Sequence, residues 1–194
     1  MQFLASARYN SPMIILIGAS ATGKTEIAKL LGTNYGIKKA ITHTSRPIRP
    51  GEKDGVDYHF VSEEEFNRLY EEGKMVERTS YHGHSYGCSK SEVKNDRCVI
   101  LDPSGFHRFQ ALNDPGIVSF LLTASEETRR SRMLSRGDDP TSVEERIRLD
   151  REAFSLEKIG KTDYVIDTEG KTLLQIASEI HIKYLKALQA VKRR

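Results

Sequence analysis

Cysteine is scarce, with only Cys88 and Cys98 in 194 residues. That excludes a disulfide framework and a four-cysteine zinc site. No run of about 18 apolar residues occurs, so there is no candidate transmembrane helix and no membrane partner is expected. The excess of one charge sign is slight. Thirty Lys+Arg stand against 27 Asp+Glu, for a net charge of +3, too little to argue for nucleic acid as the main partner. Internal repeats and low-complexity tracts are also lacking. The opening MQFLASARYNSP has no basic stretch followed by a long apolar run, so no secretory signal is read there and a cytoplasmic location is expected. What remains is 38% hydrophobic and 29% charged residues, a soluble globular composition. The length suits one domain able to bury a core without staples.

Short β-branched runs mark the strands. Met13-Ile14-Ile15-Leu16-Ile17 lies between Pro12 and Gly18, and Cys98-Val99-Ile100-Leu101 stops at Asp102-Pro103. Ile117 to Leu122 and Tyr164 to Asp167 complete the set. Each reads as a strand buried on both faces. Helical patterns follow: Thr25 to Leu31, Glu126 to Leu134, Ser142 to Leu156, and Leu173 to Val191. Strands alternating with helices predict an α/β fold with a parallel sheet covered on both sides. The stretch 42–90 breaks this rhythm and reads as an inserted subdomain. The charged helical stretch 129–161 reads as a mobile excursion, leaving a core of about 11–41, 91–128 and 162–194.

The strongest motif is Gly18-Ala19-Ser20-Ala21-Thr22-Gly23-Lys24-Thr25, which matches GxxxxGK[ST]. Glycines let the backbone curl so that successive N–H groups point at phosphate oxygens. The following helix adds the positive end of its dipole. Lys24 places a cation on the β- and γ-phosphates, and Thr25 offers a hydroxyl to Mg²⁺. The loop therefore predicts a nucleoside triphosphate, and nothing finer.

A second basic element follows in Thr42-His43-Thr44-Ser45-Arg46-Pro47-Ile48-Arg49-Pro50-Gly51-Glu52, then Asp57-Tyr58-His59-Phe60. Guanidinium groups three residues apart on a stiff loop match phosphate oxygens bidentately, and Tyr58 adds a hydroxyl donor. Together with Glu77, Tyr86-Gly87, Leu101-Asp102, Ser135-Arg136-Gly137 and the Arg-rich helix after it, these segments stand in the order and spacing of guanylate kinases. The sequence resembles that family over about residues 12–185.

The resemblance implies a P-loop NTPase three-layer α/β fold. It has a central parallel sheet, an inserted nucleoside-monophosphate-binding subdomain and a helical lid. It implies transfer of the γ-phosphate of ATP, with Mg²⁺, to GMP or dGMP, by a monomer or homodimer whose partners are small nucleotides. Residues 18–25 match the family's ATP loop. Arg46, Arg49, Tyr58 and Tyr86 match the residues on the GMP phosphate; Thr42 and Glu77 match those on the purine. A carboxylate at Glu77 suits the N1–H and N2–H₂ donors of guanine. Asp102 matches a residue that reaches Mg²⁺ through water, beside Thr25. Lys24, Arg46, Arg136 and either Arg148 or Arg146 match the catalytic cations. Arg148 is favoured because Leu149 follows it, and Arg146 stays open.

Three departures gather in the base pocket. Cys88 stands where the family has Ser or Thr, Ser104 near the place of a second aspartate, and His82, His84 and Ser85 in an altered run before Tyr86. They leave open a related kinase with another phosphorylated acceptor, or a non-catalytic binding module. His82 and His84 also share one side of a strand, but no further ligand cluster accompanies them, so a metal pair is not favoured. The basic end, Lys186 to Arg194, reads as a solvated helix terminus.

Overall fold

The computed structural model describes residues 12–192 apart from Pro50 and His82. His82 and the terminal Arg193 and Arg194 therefore lie outside the described residues. In chain order the elements are β1 (Met13–Ile17), α1 (Lys24–Tyr35), β2 (Lys38–Lys39), β3 (His43–Thr44), β4 (His59–Phe60) and α2 (Glu63–Glu71). Then come β5 (Thr79–Tyr81), β6 (His84–Gly87), β7 (Arg97–Leu101), α3 (Pro103–Gln110), β8 (Ile117–Thr123) and α4 (Glu126–Ser135). The chain ends with α5 (Pro140–Ala153), α6 (Leu156–Ile159), β9 (Tyr164–Asp167) and α7 (Leu173–Lys192).

Five strands form one parallel sheet in the order β2-β7-β1-β8-β9. Central β1 is buried along its whole length, which is why its sequence is a continuous apolar run rather than an alternating one. Its side chains still alternate between faces. Ile14 and Leu16 pack with Ile27, Ala28 and Leu31 of α1 and with Ile176, Ala177, Ile180 and Tyr184 of α7. Met13, Ile15 and Ile17 pack on the opposite face with Phe106 and Phe109 of α3 and with Ile159 of α6. Helices thus cover both faces, and the fold is a three-layer α/β arrangement.

The stretch that broke the rhythm makes its own four-stranded sheet, β4-β3-β6-β5, mostly antiparallel. One reading needs correction. The single helix expected over Ser142 to Leu156 is two, because the Ser155 side chain accepts the Lys158 N–H and caps a new helix. The two-residue edge strand β2 is also new; its exposed lysines carry no apolar signal.

Parallel register sets the site. Ile17 pairs with Leu101 on one side and Leu121 on the other. The residues just beyond, Gly18 and Asp102, are therefore neighbours at the carboxyl edge of the sheet, where such folds bind ligands.

Candidate active site

The loop between β1 and α1 curls tightly. A side chain at Gly18 would collide with the Leu122 carbonyl oxygen of the adjacent strand, so only glycine allows the loop to leave the sheet there. Gly23 and Ala21 have positive φ, 93° and 62°. Lys24 Nζ donates to the carbonyls of Gly18 at 2.6 Å and Ala19 at 2.9 Å, folding its side chain along the loop. Burial pulls the Lys24 ammonium down to about 8; Asp150 works against that shift and Arg129 adds to it. Thr22 is buried and donates its hydroxyl to the Ala19 carbonyl, whereas Thr25 is exposed at the start of α1. A cavity of about 540 Å³ lies beside the loop, lined by Thr22 to Glu26 together with Arg132, Arg136, Thr168 and Lys171.

On the second sheet, Arg46 is 8% exposed. Its Nη2 grips Glu52 with both carboxylate oxygens at 2.7 and 3.0 Å, and its Nη1 donates to the Pro47 carbonyl. The guanidinium lies over the rings of Tyr58 and Phe60 at 5.7 and 5.6 Å, and Tyr58 meets Tyr86 edge-on at 6.2 Å. Arg46, Tyr58 and Tyr86 are thus brought together, as their matches imply. Arg49 is exposed and joins through its backbone N–H, which Glu52 accepts at 2.8 Å. The Arg46 guanidinium and that N–H hold the Glu52 carboxyl below the usual range. Glu52 is thus the anion that Arg46 Nη2 holds in this structure.

Glu77 is 5% exposed. Its Oε1 accepts the Cys88 N–H at 2.6 Å, and a side chain on Gly87 would collide with the Glu77 carbonyl, so this hairpin needs its glycine. Burial pushes the Glu77 carboxyl up to about 7; the Cys88 N–H opposes the shift and Asp102 adds to it. Asp102 follows β7 and caps α3, its Oδ1 accepting the Gly105 N–H at 2.7 Å while Oδ2 accepts the Thr79 hydroxyl at 3.2 Å. Thr42 is half-buried ahead of β3 and its carbonyl accepts the His59 N–H.

Two residues expected in the base pocket turn their side chains away from the Glu77 carboxylate. The Cys88 thiol is fully buried and turned to the Ser89 carbonyl at 3.6 Å, packed with Val93, Val99 and Phe106. Cys88 serves Glu77 through its backbone, not through sulfur. Ser104 is exposed on the first turn of α3, and it is Gly105 that faces the free oxygen of Glu77. The lid arginines also sort themselves. Arg136 and Arg146 share one oxygen of Asp138, at 2.6 and 3.1 Å. Arg148, the residue favoured from sequence, is exposed and absent from this group, because two residues along a helix turn the side chain to another face. Arg146, and not Arg148, is therefore the arginine that Asp138 joins to Arg136.

Sequence reasoning missed several groups. Arg132 donates to the Ala21 and Thr168 carbonyls; its four-residue spacing from Arg136 was a usable signal. Lys39 stands over the Tyr58 ring at 5.2 Å. Thr79, Arg129 and Asp150 gave no signal in the sequence. Among the described residues no group of three or more His, Cys, Asp or Glu could hold a metal ion, and no helix is long and apolar enough to cross a membrane.

Residues 10–177 match the family model described as guanylate kinase. A guanylate kinase of Coxiella burnetii is 33% identical over 162 residues, 79% of this chain and 78% of the relative. One of Wolbachia pipientis wMel is 33% identical over 187 residues, 91% and 92% of the two chains. The crystal structure of a guanylate kinase from Anaplasma phagocytophilum superposes with a TM-score of 0.66 at 25% identity, covering 91% of this chain and 85% of that one. A gluconokinase from Sinorhizobium meliloti 1021, with a TM-score of 0.51 at 15% identity, covers 95% and 94% and shares the fold alone. These matches place the chain in the guanylate kinase family of phosphotransferases.

Proposed function

We propose that this chain transfers the γ-phosphoryl group of ATP to GMP or dGMP, releasing ADP and the diphosphate. The observation that carries the reading is the buried Glu77 carboxylate, bonded to the Cys88 N–H two residues along the chain from Tyr86 of the Arg46–Tyr58–Tyr86 cluster. It pairs an acceptor for a base edge with a seat for a phosphate. Residues 42–90 act as the acceptor subdomain, 129–161 as the lid, and the rest as the core.

The acceptor phosphate displaces Glu52 from Arg46 and takes up the fork, with Arg49, Tyr58 and Tyr86 completing its contacts. Ionised Glu77 accepts from the guanine N1–H and N2–H₂ donors, and Thr42 flanks the purine. Adenine offers no such donor pair, so it leaves the carboxylate unpaired and is rejected. The ATP phosphates lie on the N–H groups of residues 18–25. Its base and ribose take the cavity bounded by Arg132, Arg136, Thr168 and Lys171. Lys24, Arg136 and Arg146 neutralise the charge that spreads over the transferring group. No general base is needed, because the acceptor is already anionic. Catalysis is positioning and charge stabilisation, with the closed lid excluding water.

Magnesium fits the donor set. Thr25 offers an exposed hydroxyl and Asp102 a carboxylate, and Mg²⁺ at such sites keeps several waters and takes its other oxygens from phosphates. Bound there, it supplies charge neutralisation to the ATP phosphates. ATP and GMP are both cytoplasmic solutes, and we place the enzyme there, working as a monomer or homodimer without nucleic acid.

The test is detection of nucleoside diphosphates from ATP·Mg²⁺ with GMP, dGMP, AMP, CMP or UMP supplied separately. Conversion of GMP or dGMP that Lys24→Ala abolishes is the expected result. Conversion of another base only, or of none, overturns the reading.

A further inference from the structure

A buried charged pair lies between the lid helices and the phosphate loop. Arg129 of α4 is 4% exposed, and its Nη1 donates to Asp150 Oδ2 of α5 at 2.8 Å. The same oxygen accepts the Ser20 N–H of the loop at 2.8 Å, across 130 residues of chain. Two apolar side chains would join α4 to α5 equally well, since a buried ion pair rarely outperforms packing. What apolar residues cannot do is hold a backbone amide of the loop.

That amide precedes a strained residue. Ala21 has φ 62°, a region that L-residues occupy only where the surroundings over-determine it. The loop supplies part of that restraint itself, through the bonds from Thr22 to the Ala19 carbonyl and from Lys24 Nζ to the Gly18 and Ala19 carbonyls, none of which holds the Ser20 N–H or the Ala21 carbonyl. The rest comes from the lid base. Asp150 holds the N–H of Ser20 before Ala21, and Arg132 Nη1 holds the Ala21 carbonyl at 3.1 Å. Met133, Val143 and Ile147 pack against the Ala21 methyl. The strained turn is therefore clamped from both sides by α4 and α5.

We infer that Asp150, held by Arg129, is a positioning residue for the donor nucleotide. It fixes the Ser20 N–H, and with it the turn that aims the phosphate-binding amides, before ATP arrives. It also mounts the base of the lid on the loop. Preorganisation of this kind strengthens binding by removing the cost of ordering the loop. The effect belongs to ATP and not to the acceptor nucleotide. The inference rests on the kinase reading for its effect on ATP, but the clamp itself is testable without any substrate.

Asp150→Ala alone leaves Arg129 buried without a counter-charge and is prone to unfold, so the decisive variant is the double substitution Arg129→Leu with Asp150→Ala. Amide hydrogen exchange on the protein without nucleotide should show Ser20 and Ala21 exchanging at least about tenfold faster, with the α1 amides unchanged. In steady-state assays KM for ATP should rise about tenfold, as expected from losing one charge-assisted hydrogen bond, while KM for GMP stays within about twofold. Adding Ala21→Gly should recover part of the ATP affinity, because glycine accepts that φ without strain. Asp150→Asn keeps an acceptor for Ser20 and should retain the slow exchange there. Unchanged exchange at Ser20 in the double variant, or equal rises in KM for both nucleotides, overturns the clamp. Fast exchange at Ser20 in Asp150→Asn counts against it too, and decides the matter if the double variant does not fold. A wild-type protein inactive with every acceptor overturns the kinase reading instead, and leaves the exchange result standing.

Discussion

The two halves of this site are built on different principles. In the proposed reading the donor half is one continuous octapeptide, residues 18–25, whose backbone amides are fixed by a strand on one side and a helix on the other. The acceptor half is assembled from side chains on separated segments: Arg46 after β3, Tyr58 before β4, Glu77 before β5, Tyr86 in β6. There Arg46 is paired with an internal carboxylate, Glu52, and the acid proposed to read the base, Glu77, is buried at a cost to its charged form. The donor half is preset by geometry. In the proposed reading the acceptor half is preset by charge exchange, a phosphate replacing Glu52 on Arg46 and a base supplying donors to Glu77.

Variants should separate the halves in decreasing steps. Lys24→Ala should lower kcat/KM by about 10³-fold or more while leaving the melting temperature within a few degrees, since it removes a cation that neutralises the charge developing on the transferring group. A loss under tenfold would mean that the loop binds without catalysing. Arg46→Lys should raise KM for GMP about a hundredfold and hardly move KM for ATP, because an ammonium cannot reproduce the bidentate fork. Equal effects on both nucleotides would erase the distinction between the halves.

Between these sits Arg146→Ala, expected to reduce kcat about tenfold, with Arg148→Ala near wild type; the reverse order would restore the arginine favoured by its leucine neighbour. A stability measurement probes the cost at Glu77. Its folded-state pKa is raised to about 7 by burial, so between about 4.5 and 7 the native protein holds a proton that the unfolded chain has released. Stability without nucleotide should therefore fall as pH rises through that window, by at most about 3 kcal/mol. Glu77→Gln should flatten this slope and be the more stable form at pH 8 by about 1–2 kcal/mol; denaturant unfolding at pH 5 and pH 8 measures both. The smallest effect is predicted for Cys88→Ser. Because the thiol faces the Ser89 carbonyl, KM for GMP should stay within about twofold, and a marked improvement would show that the side chain faces the base after all.

The same contrast explains what could be read in advance. The central strands were legible because burial on both faces leaves an uninterrupted apolar run, as in Met13–Ile17. The phosphate loop was legible because its chemistry is local in sequence. Arg46, Tyr58, Glu77 and Tyr86 were legible only together, through their spacing. The direction of a side chain was not. Cys88 and Ser104 sit at the right places along the chain yet point into the core and into solvent, and helical phase separates Arg146 from Arg148. Asp150 was invisible because it acts on an amide 130 residues away, a contact made only when α5 folds back over the loop.

The most direct test is the ratio of kcat/KM for GMP to that for AMP, measured in the wild type and in Glu77→Gln. Ionised Glu77 reading a pair of base donors predicts a large preference for GMP, about 10³-fold or more, that collapses by at least about a hundredfold in Glu77→Gln while KM for ATP holds. A preference for GMP that survives Glu77→Gln intact would contradict the account and move base recognition elsewhere in the pocket.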